Sequence, residues 1–253
     1  MTTKLPKMIL FDYGQTLGNE NGFDPVRGTA AVMQYATKNK YGYTAKEVQD
    51  RADQLLFEIG RTDPQRKHLL DMEMPNHMFT AYLYESMGVT LPLTALEIDR
   101  IFWNAAAPAK PTDGIADFLS FLKEKCIRTA VISNISYCGE AVKERIDALL
   151  PEHSFEFILA TSEYLFRKPN RRIFELALQK ADLHAEDVWY IGDQYIFDAV
   201  GAKNAGIFPV LYLGATQNPN AERGDTLTVT HWNELMTILT DLIERNPNHA
   251  TQT

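Results

Sequence analysis

The chain has 253 residues, of which 45% are hydrophobic and 23% charged; these values exclude wholesale disorder and allow one large domain or two smaller ones. The formal net charge of −8 disfavours a nucleic-acid partner, because the phosphate backbone carries charge of the same sign. No apolar run is long enough to span a bilayer and the N-terminus has no signal-peptide pattern, so we expect a cytoplasmic protein without a membrane partner.

The first element along the chain is a short apolar run from Met8 to Phe11. It shows no polar alternation, which is typical of a strand buried on both faces of a parallel sheet. The run ends at Asp12, and a turn containing Gly14 follows. An aspartate at this place can simply form a turn, so its position alone indicates no chemistry.

Residues 24–103 have helical spacing, and nothing in them indicates a strand. Pro25 begins a predicted helix that runs to about Asn39, and Thr44 with Glu47 forms a capping-box pattern before a second helix. Two more helices are predicted over 76–87 and 94–103. The proline-rich residues 108–111 then separate this part from the rest. We therefore predict the following division: a core of residues 1–17 and 109–245, an all-helical insert of residues 18–108, and a polar tail of residues 246–253.

After the insert, predicted helices and strands alternate. The helices are expected over 114–125, 139–150, 170–181, 198–205 and 232–244, and the strands over 129–132, 155–159, 188–191 and 210–213. Such alternation predicts an α/β fold with a doubly wound, Rossmann-like parallel sheet. Ligands bind beyond the carboxyl ends of the strands in these sheets. Three of the predicted strand ends carry polar residues, namely Asp12, Ser133 with Asn134, and Asp193.

Each polar group has both a structural and a chemical interpretation. The Ser133 hydroxyl can cap the next helix or donate a hydrogen bond to a phosphoryl oxygen. Lys168, which Pro169 follows, can be a solvated surface lysine or can neutralise a carboxylate and a transferring group. Asp193 and Asp198 can favour a helix dipole or supply the hard oxygen ligands that suit Mg²⁺.

Together and in this order, these motifs resemble the haloacid dehalogenase-like hydrolase superfamily. The similarity covers nearly the whole chain. It also includes Arg167-Lys168-Pro169 with Ile173-Phe174 and the stretch Gly-Ala-Lys-Asn-Ala-Gly at 201–206. The resemblance implies that the helical insert is that family's cap, placed between the first and second motifs.

The resemblance also implies roles for the site residues. Asp12 would be the nucleophile, and Ser133 and Lys168 would hold the transferring group, with Asn134 and Gly14 next to the substrate. Asp193 would bind Mg²⁺ together with Asp12 and the backbone carbonyl of Gly14. Asp198 would support either the metal or Lys168. The expected partner is a small phosphorylated molecule.

Gly14 departs from the family pattern, because phosphatases of the family usually carry an acid–base aspartate there. Four hypotheses stay open. The first, which we rank ahead of the others, is a Mg²⁺-dependent phosphatase that has a good leaving group or another source of the proton. The second is a dehalogenase, which in the family works without a metal. The third is a phosphonatase-like hydrolase with a reactive lysine in the insert. The fourth is a non-catalytic protein that binds a phosphorylated metabolite.

Substrate contacts and oligomeric state stay open at this stage. The insert offers four polar candidates for the substrate, Arg61, Arg66, His68 and Asn76, and four lysines for phosphonatase chemistry, Lys38, Lys40, Lys46 and Lys67. The aromatic residues Tyr82, Tyr84, Phe102 and Trp103 could form either a core or an interface, and we expect a core.

Overall fold

The computed structural model describes residues 4–20, 22–69, 71–216 and 222–245, without the side chains of 67–69. The predicted polar tail lies outside these ranges. The strands are β1 (Met8–Phe11), β2 (Gly18–Asn19), β3 (Lys38–Asn39), β4 (Val89–Thr90), β5 (Lys110–Pro111), β6 (Arg128–Ser133), β7 (Ile158–Ala160), β8 (Val188–Gly192), β9 (Phe208–Tyr212) and β10 (Leu227–Val229). The helices are α1 (Pro25–Met33), α2 (Ala45–Glu58), α3 (Asn76–Ser86), α4 (Ala95–Ala106), α5 (Ile115–Glu124), α6 (Gly139–Leu149), α7 (Arg171–Ala181), α8 (Gly201–Asn204) and α9 (Trp232–Arg245).

The main sheet has six parallel strands in the order β10-β9-β8-β1-β6-β7. This confirms the predicted doubly wound α/β fold. The first strand in the chain, β1, lies near the middle of the sheet, between β8 and β6. The carboxyl ends of these three strands are therefore neighbours at one edge of the sheet.

Alternate residues of β1 enter two different apolar layers. Ile9 and Phe11 pack on the side of α5 and α9, where the Phe11 and Trp232 ring centroids are 6.1 Å apart. Met8 and Leu10 pack with residues of α7 on the opposite face. All four side chains are fully buried, which explains why β1 is a continuous apolar run rather than an alternating one.

Between β1 and β6 the chain forms the helices α1 to α4. The capping box predicted at Thr44 is present, and Thr94 with Glu97 forms a second one. Tyr84 and Trp103 are buried as expected, whereas Tyr82 is 58% exposed and does not belong to a core. Antiparallel pairing of β2 with β5 joins the two ends of this helical insert. Within the described ranges, no helix has the length and apolarity needed to cross a membrane.

The insert also contains strand pairing that the sequence pattern did not predict. The first helix ends at Met33 rather than near residue 39, and β3 pairs antiparallel with β4. The prediction of no strand in this part was therefore wrong. Strands of two residues are too short to show any hydrophobic period, and β3 depends on a partner about fifty residues away.

In the core, most deviations are shifts of element ends. The strand expected at 155–159 covers Ile158–Ala160, and the one expected at 210–213 covers Phe208–Tyr212. The helix expected at 198–205 is a π-helical segment, Tyr195–Val200, that continues into α8. The edge strand β10 was missed, because a run of three residues is too short to show a hydrophobic period.

Candidate active site

Three adjacent strands bring the predicted polar residues together. Asp12 follows β1 at the centre, Ser133 ends β6 on one side, and Asp193 follows β8 on the other. The Asp12 amide donates a hydrogen bond to the Ile191 carbonyl at 2.8 Å, which keeps β1 and β8 paired up to the site. All three side chains are buried. The parallel register thus gathers residues that lie far apart in the chain.

Lys168 occupies the centre of this arrangement. Its side chain is only 2% exposed, and its ammonium group donates to Asp12 Oδ1 at 2.7 Å and to Asp198 Oδ1 at 2.6 Å. A third hydrogen bond, at 2.6 Å, goes to the hydroxyl of Tyr190. An ammonium group has three donors, so all of them are used. Burial lowers the pKa of Lys168, but Asp12 and Asp198 outweigh burial and raise it overall, so the lysine is charged.

Asn134 places the loop that carries Lys168. Its side-chain amide donates to the Lys168 carbonyl and accepts from the Lys168 amide, both at 2.8 Å. This two-sided contact is like one rung of a β-ladder and holds the backbone of the loop against the end of β6. The amide that was predicted to lie next to the substrate therefore also positions the lysine.

Tyr190 is a site residue that the sequence reasoning missed. It lies in the apolar run of β8, with its hydroxyl 3.2 Å from both Asp198 Oδ1 and the Ile132 carbonyl. Burial and the nearby carboxylates raise its pKa well above the usual value, so the phenol keeps its proton. A buried tyrosine hydroxyl needs a polar partner, and that requirement was the available signal in an otherwise apolar strand.

The acidic cluster of Asp12, Asp193 and Asp198 can hold a cation. One carboxylate oxygen from each of the three lies within 4.8 Å of the others. Both oxygens of Asp198 already accept hydrogen bonds, from Lys168 and from the Gln194 amide. Asp12 Oδ2 and Asp193 Oδ1, in contrast, accept no hydrogen bond from another side chain in the described part of the chain. This donor set fits Mg²⁺, which takes one or two carboxylates and fills its remaining positions with other oxygens.

The pKa values show how strongly these carboxylates repel one another. Burial, together with the charge of Asp198, raises the pKa of Asp12 to about 6 even though Lys168 lowers it. Burial, followed by the charges of Asp12 and Asp198, raises the pKa of Asp193 to about 8. The site therefore favours either protons or a cation at neutral pH.

Two glycines shape the site. A Cβ on Gly192 would lie 2.3 Å from Cγ of Asp198, so only glycine lets that carboxylate approach β8. A Cβ on Gly14 would meet no nearer atom than Asp12 Oδ2, at 4.0 Å, and Gly14 is not in the positive-φ region. The backbone at Gly14 therefore does not require glycine, and a larger side chain would fit there.

The site contains a cavity of about 350 Å³. Its charged lining consists of four carboxyl groups and two cations: Asp12, Glu20, Asp193, Asp198, Arg167 and Lys168. Ser133, Asn134 and Gly14 also line it. Acids outnumber cations in this lining, so an anionic substrate would be repelled unless a further cation entered with it.

Glu20 is a contribution of the insert that was not predicted. It accepts hydrogen bonds from the Tyr13 hydroxyl at 3.0 Å and pairs with Arg145 of α6 at 2.9 Å. Arg145 also donates to the Tyr13 hydroxyl at 2.7 Å and lies over the Trp103 ring. These contacts link Tyr13, the residue after Asp12, to Glu20 and Trp103, which lie near the two ends of the insert.

Of the four polar insert residues considered as candidates for substrate contact, the three with described side chains do not line this cavity. Arg61 pairs with Glu73, and Arg66 donates to the Glu58 carbonyl. Asn76 donates to Asp99 at 2.6 Å. Arg61 and Asn76 instead line a second, mostly apolar cavity of about 280 Å³ among the insert helices. The side chain of His68 lies outside the described residues.

Comparison with solved structures supports the fold. A 2-haloacid dehalogenase from Pseudomonas syringae pv. Tomato DC3000 aligns with a TM-score of 0.61 at 18% identity over 95% of this chain and 99% of that one. A HAD phosphatase from Thermococcus onnurineus also reaches a TM-score of 0.61, at 19% identity over 92% of this chain and 97% of that one. At these identities the likeness shows the fold alone.

Comparison of sequences shows the family. A glyceraldehyde 3-phosphate phosphatase from Methanothermobacter thermautotrophicus is 35% identical over 104 residues, which are 40% of this chain and 44% of that protein. The chain thus aligns with less than half the length of this relative. The family model described as haloacid dehalogenase-like hydrolase matches residues 67–211, more than half of the chain. With the sheet order and the buried aspartates around Lys168, this match shows that the chain belongs to the haloacid dehalogenase-like hydrolase family.

Proposed function

We propose that this protein is a Mg²⁺-dependent phosphatase that acts on a small phosphorylated metabolite and uses Asp12 as its nucleophile. The observation that carries the proposal is that Lys168 pairs with Asp12 and Asp198, while Asp193 accepts no hydrogen bond from Lys168. Asp12 Oδ1 accepts a hydrogen bond from Lys168, whereas Asp12 Oδ2 and Asp193 Oδ1 accept none from another side chain in the described part of the chain. In this proposal residues 18–108 act as the cap over the core.

The geometry suggests how the residues would divide the reaction. The Asp12 carboxylate would attack phosphorus, so that an aspartyl phosphate forms while the bond to the leaving oxygen breaks. Water would then cleave the aspartyl phosphate and regenerate Asp12. Lys168 would offset negative charge at the nucleophile throughout, and the Ser133 hydroxyl would donate to a phosphoryl oxygen.

Asp12, Asp193 and the Gly14 carbonyl are the groups that would hold Mg²⁺. When bound, the ion supplies positive charge that offsets the phosphoryl oxygens and the carboxylates. Asp198 would support the site through Lys168, because both of its oxygens are already engaged. In this proposal Asp198 takes the second of the two roles that the resemblance implied for it.

The alternatives have less support in this site. A dehalogenase that works without a metal would have no use for Asp193. Burial strongly disfavours the anionic form of this carboxyl group, and no metal would be there to stabilise it. A phosphonatase-like hydrolase would need a lysine of the insert in the cavity. In the described lining of the cavity, Lys168 is the sole lysine. Lys38 and Lys40 are exposed, and Lys46 pairs with Asp50. The side chain of Lys67 is not described.

A broad phosphate-ester screen, with and without Mg²⁺, tests the proposal. We expect phosphate release that needs Mg²⁺ and that disappears in Asp12→Asn. Halide release from 2-haloacids in the presence of a chelator would instead identify a dehalogenase. Binding of phosphate esters without any turnover would identify a non-catalytic binding protein.

A further inference from the structure

Arg167 is a mostly buried cation whose Nε has no hydrogen-bond partner in the described part of the chain. Its side chain is 15% exposed and lines the catalytic cavity. Its one ion pair with a described residue joins Nε to Glu73 Oε2 at 3.6 Å, which is too long for a hydrogen bond. Within the described part of the chain its guanidinium donates to no acceptor, and Nε is fully buried. Burial lowers the pKa of Arg167, because few hydrogen-bond acceptors compensate the charged guanidinium for its loss of water.

Glu73 offsets only part of the charge of this guanidinium, because its oxygens already accept hydrogen bonds from other groups. Its fully buried carboxylate accepts from Arg61 at 2.6 Å through Oε1, and Oε2 accepts from the Thr161 hydroxyl at 2.8 Å. Two arginines therefore share one glutamate, and the cluster keeps one positive charge. Since Arg61 makes the short contact, the surplus lies on Arg167.

The position of Arg167 is fixed from the side of the insert. Its amide donates to the Asp71 carbonyl at 2.9 Å, and Met72 bridges antiparallel to Phe166. The Glu73 amide completes this short pairing by donating to Leu165 at 3.1 Å. The guanidinium is thus placed at the junction between the insert and the Lys168 loop, where the part of a substrate that is not transferred would lie.

Lys168 cannot bind a second anionic group, because its three donors are already used by Asp12, Asp198 and Tyr190. Arg167 is the other cation in the described lining of the cavity. A guanidinium presents five donors in a planar fork that matches a carboxylate or a phosphate. A neutral organic group would leave that fork unpaired in a buried place, at a cost in binding.

We infer that Arg167 determines specificity by binding a second anionic group, such as a carboxylate, on the organic part of the phosphate ester. This inference rests on the phosphatase function proposed above and narrows its substrates to esters that carry a further negative charge. The favoured compounds are small, because the cavity that holds both groups has a volume of about 350 Å³.

Matched pairs of esters test the inference. Phosphoglycolate and 2-hydroxyethyl phosphate differ only in a carboxylate against a hydroxymethyl group, and so do 3-phosphoglycerate and glycerol 3-phosphate. Each would be measured as a competitive inhibitor of 4-nitrophenyl phosphate hydrolysis with Mg²⁺. We expect the carboxylate member of at least one pair to have an inhibition constant about tenfold lower or more, the size of one charge-assisted hydrogen bond.

Variants of Arg167 then test whether this residue causes the difference between the two inhibition constants of a pair. In Arg167→Met the ratio within the pair should fall to about one, and in Arg167→Lys part of it should remain. The matched control is Arg172→Met, which removes the same charge from an exposed arginine that lies over the Phe166 ring. The ratio of the two inhibition constants is compared rather than the rate, so each variant needs only measurable hydrolysis. If Arg167→Met does not fold, Arg167→Lys must still lower this ratio.

Three outcomes would overturn the inference. The first is a wild-type ratio near one for both pairs. The second is a ratio unchanged in both Arg167 variants. The third is equal weakening of both members of a pair, which would mean that Arg167 holds the phosphoryl group itself. No hydrolysis of 4-nitrophenyl phosphate by the unmodified protein would instead count against the phosphatase proposal, and is distinguishable from all three.

Discussion

The Lys168 ammonium lies 2.7 Å from Asp12 Oδ1 although 156 residues separate the two in the chain. This contact uses one oxygen of Asp12 and keeps a positive charge next to the carboxylate, which lines the cavity. Neither side chain could remain charged in this buried place without such a partner. The ion pair therefore supports the fold and would also serve the proposed chemistry.

Asp12→Asn should abolish turnover and leave the fold intact, because the amide is nearly isosteric but a poor nucleophile. We expect kcat to fall by about a thousandfold or more, which is the usual size of the effect when a reacting group is removed. The measurement is Mg²⁺-dependent hydrolysis of 4-nitrophenyl phosphate, with circular dichroism to check folding.

The matched control for that variant is Asp187→Asn. Asp187 is also buried, but it pairs with Lys4 and Lys7 at the opposite end of β8. It should lose some stability and keep its activity. Substantial turnover by Asp12→Asn would remove Asp12 from the role of nucleophile.

Mg²⁺ should stabilise the protein more at pH 8 than at pH 6. The pKa values of Asp12 and Asp193 are raised in the folded protein to about 6 and about 8, so without metal the folded state binds more protons than the unfolded state in this range. Its free energy of unfolding should then fall as the pH rises through that window. Mg²⁺ binds the ionised carboxylates, so its affinity, and the rise in Tm that it causes, should increase with pH.

Thermal unfolding with and without Mg²⁺ at pH 6, 7 and 8 measures this effect. Asp193→Asn should lose most of the Mg²⁺-dependent rise in Tm. Equal rises at all three pH values, or an unchanged rise in the variant, would contradict the assignment of Asp193 as a ligand.

Tyr190→Phe should lower kcat by about tenfold, or about 1.4 kcal/mol, because the Lys168 ammonium loses one of its three acceptors. The free energy of unfolding should fall by about 1 kcal/mol for the lost hydrogen bond. Tyr84→Phe is the matched control, since this buried tyrosine lies in the insert and accepts no ammonium hydrogen bond there. If both variants changed kcat equally, Tyr190 would have no special part in holding Lys168.

The rate of the unmodified protein should depend steeply on leaving-group acidity, because Gly14 has no side chain to protonate the departing oxygen. Aryl and acyl phosphates should be cleaved far better than alkyl phosphates, since general acid help is worth ~10²–10⁴-fold. Esters of graded leaving-group pKa provide the measurement. A flat dependence, with chemistry limiting the rate, would show that another group already supplies the proton.

Gly14→Asp should raise the hydrolysis of alkyl phosphates by about tenfold or more. The structure allows this test, because Gly14 lies outside the positive-φ region and an added Cβ would have room. Gly14→Asn is the matched control, with the same size and no acidic proton. Improvement in both variants, or in neither, would contradict a missing general acid as the reason for the preference.

The sequence by itself determined the class of fold and the set of polar strand ends. The buried run Met8–Phe11 and the later alternation of helices and strands identify a parallel sheet, because local periodicity carries that information. In a parallel sheet, residues that follow different strands necessarily meet at one edge. That rule groups Asp12, Ser133 and Asp193 from the sequence alone.

Only the tertiary structure decided which groups touch. The Tyr190 hydroxyl, the occupied oxygens of Asp198 and the unsatisfied guanidinium of Arg167 depend on contacts between residues distant in the chain. The pairing of β3 with β4 was hidden for the same reason. Hydrophobic periodicity reports which face of an element is buried, whereas a hydrogen-bond partner is set by the packing of other elements, and no local pattern encodes it.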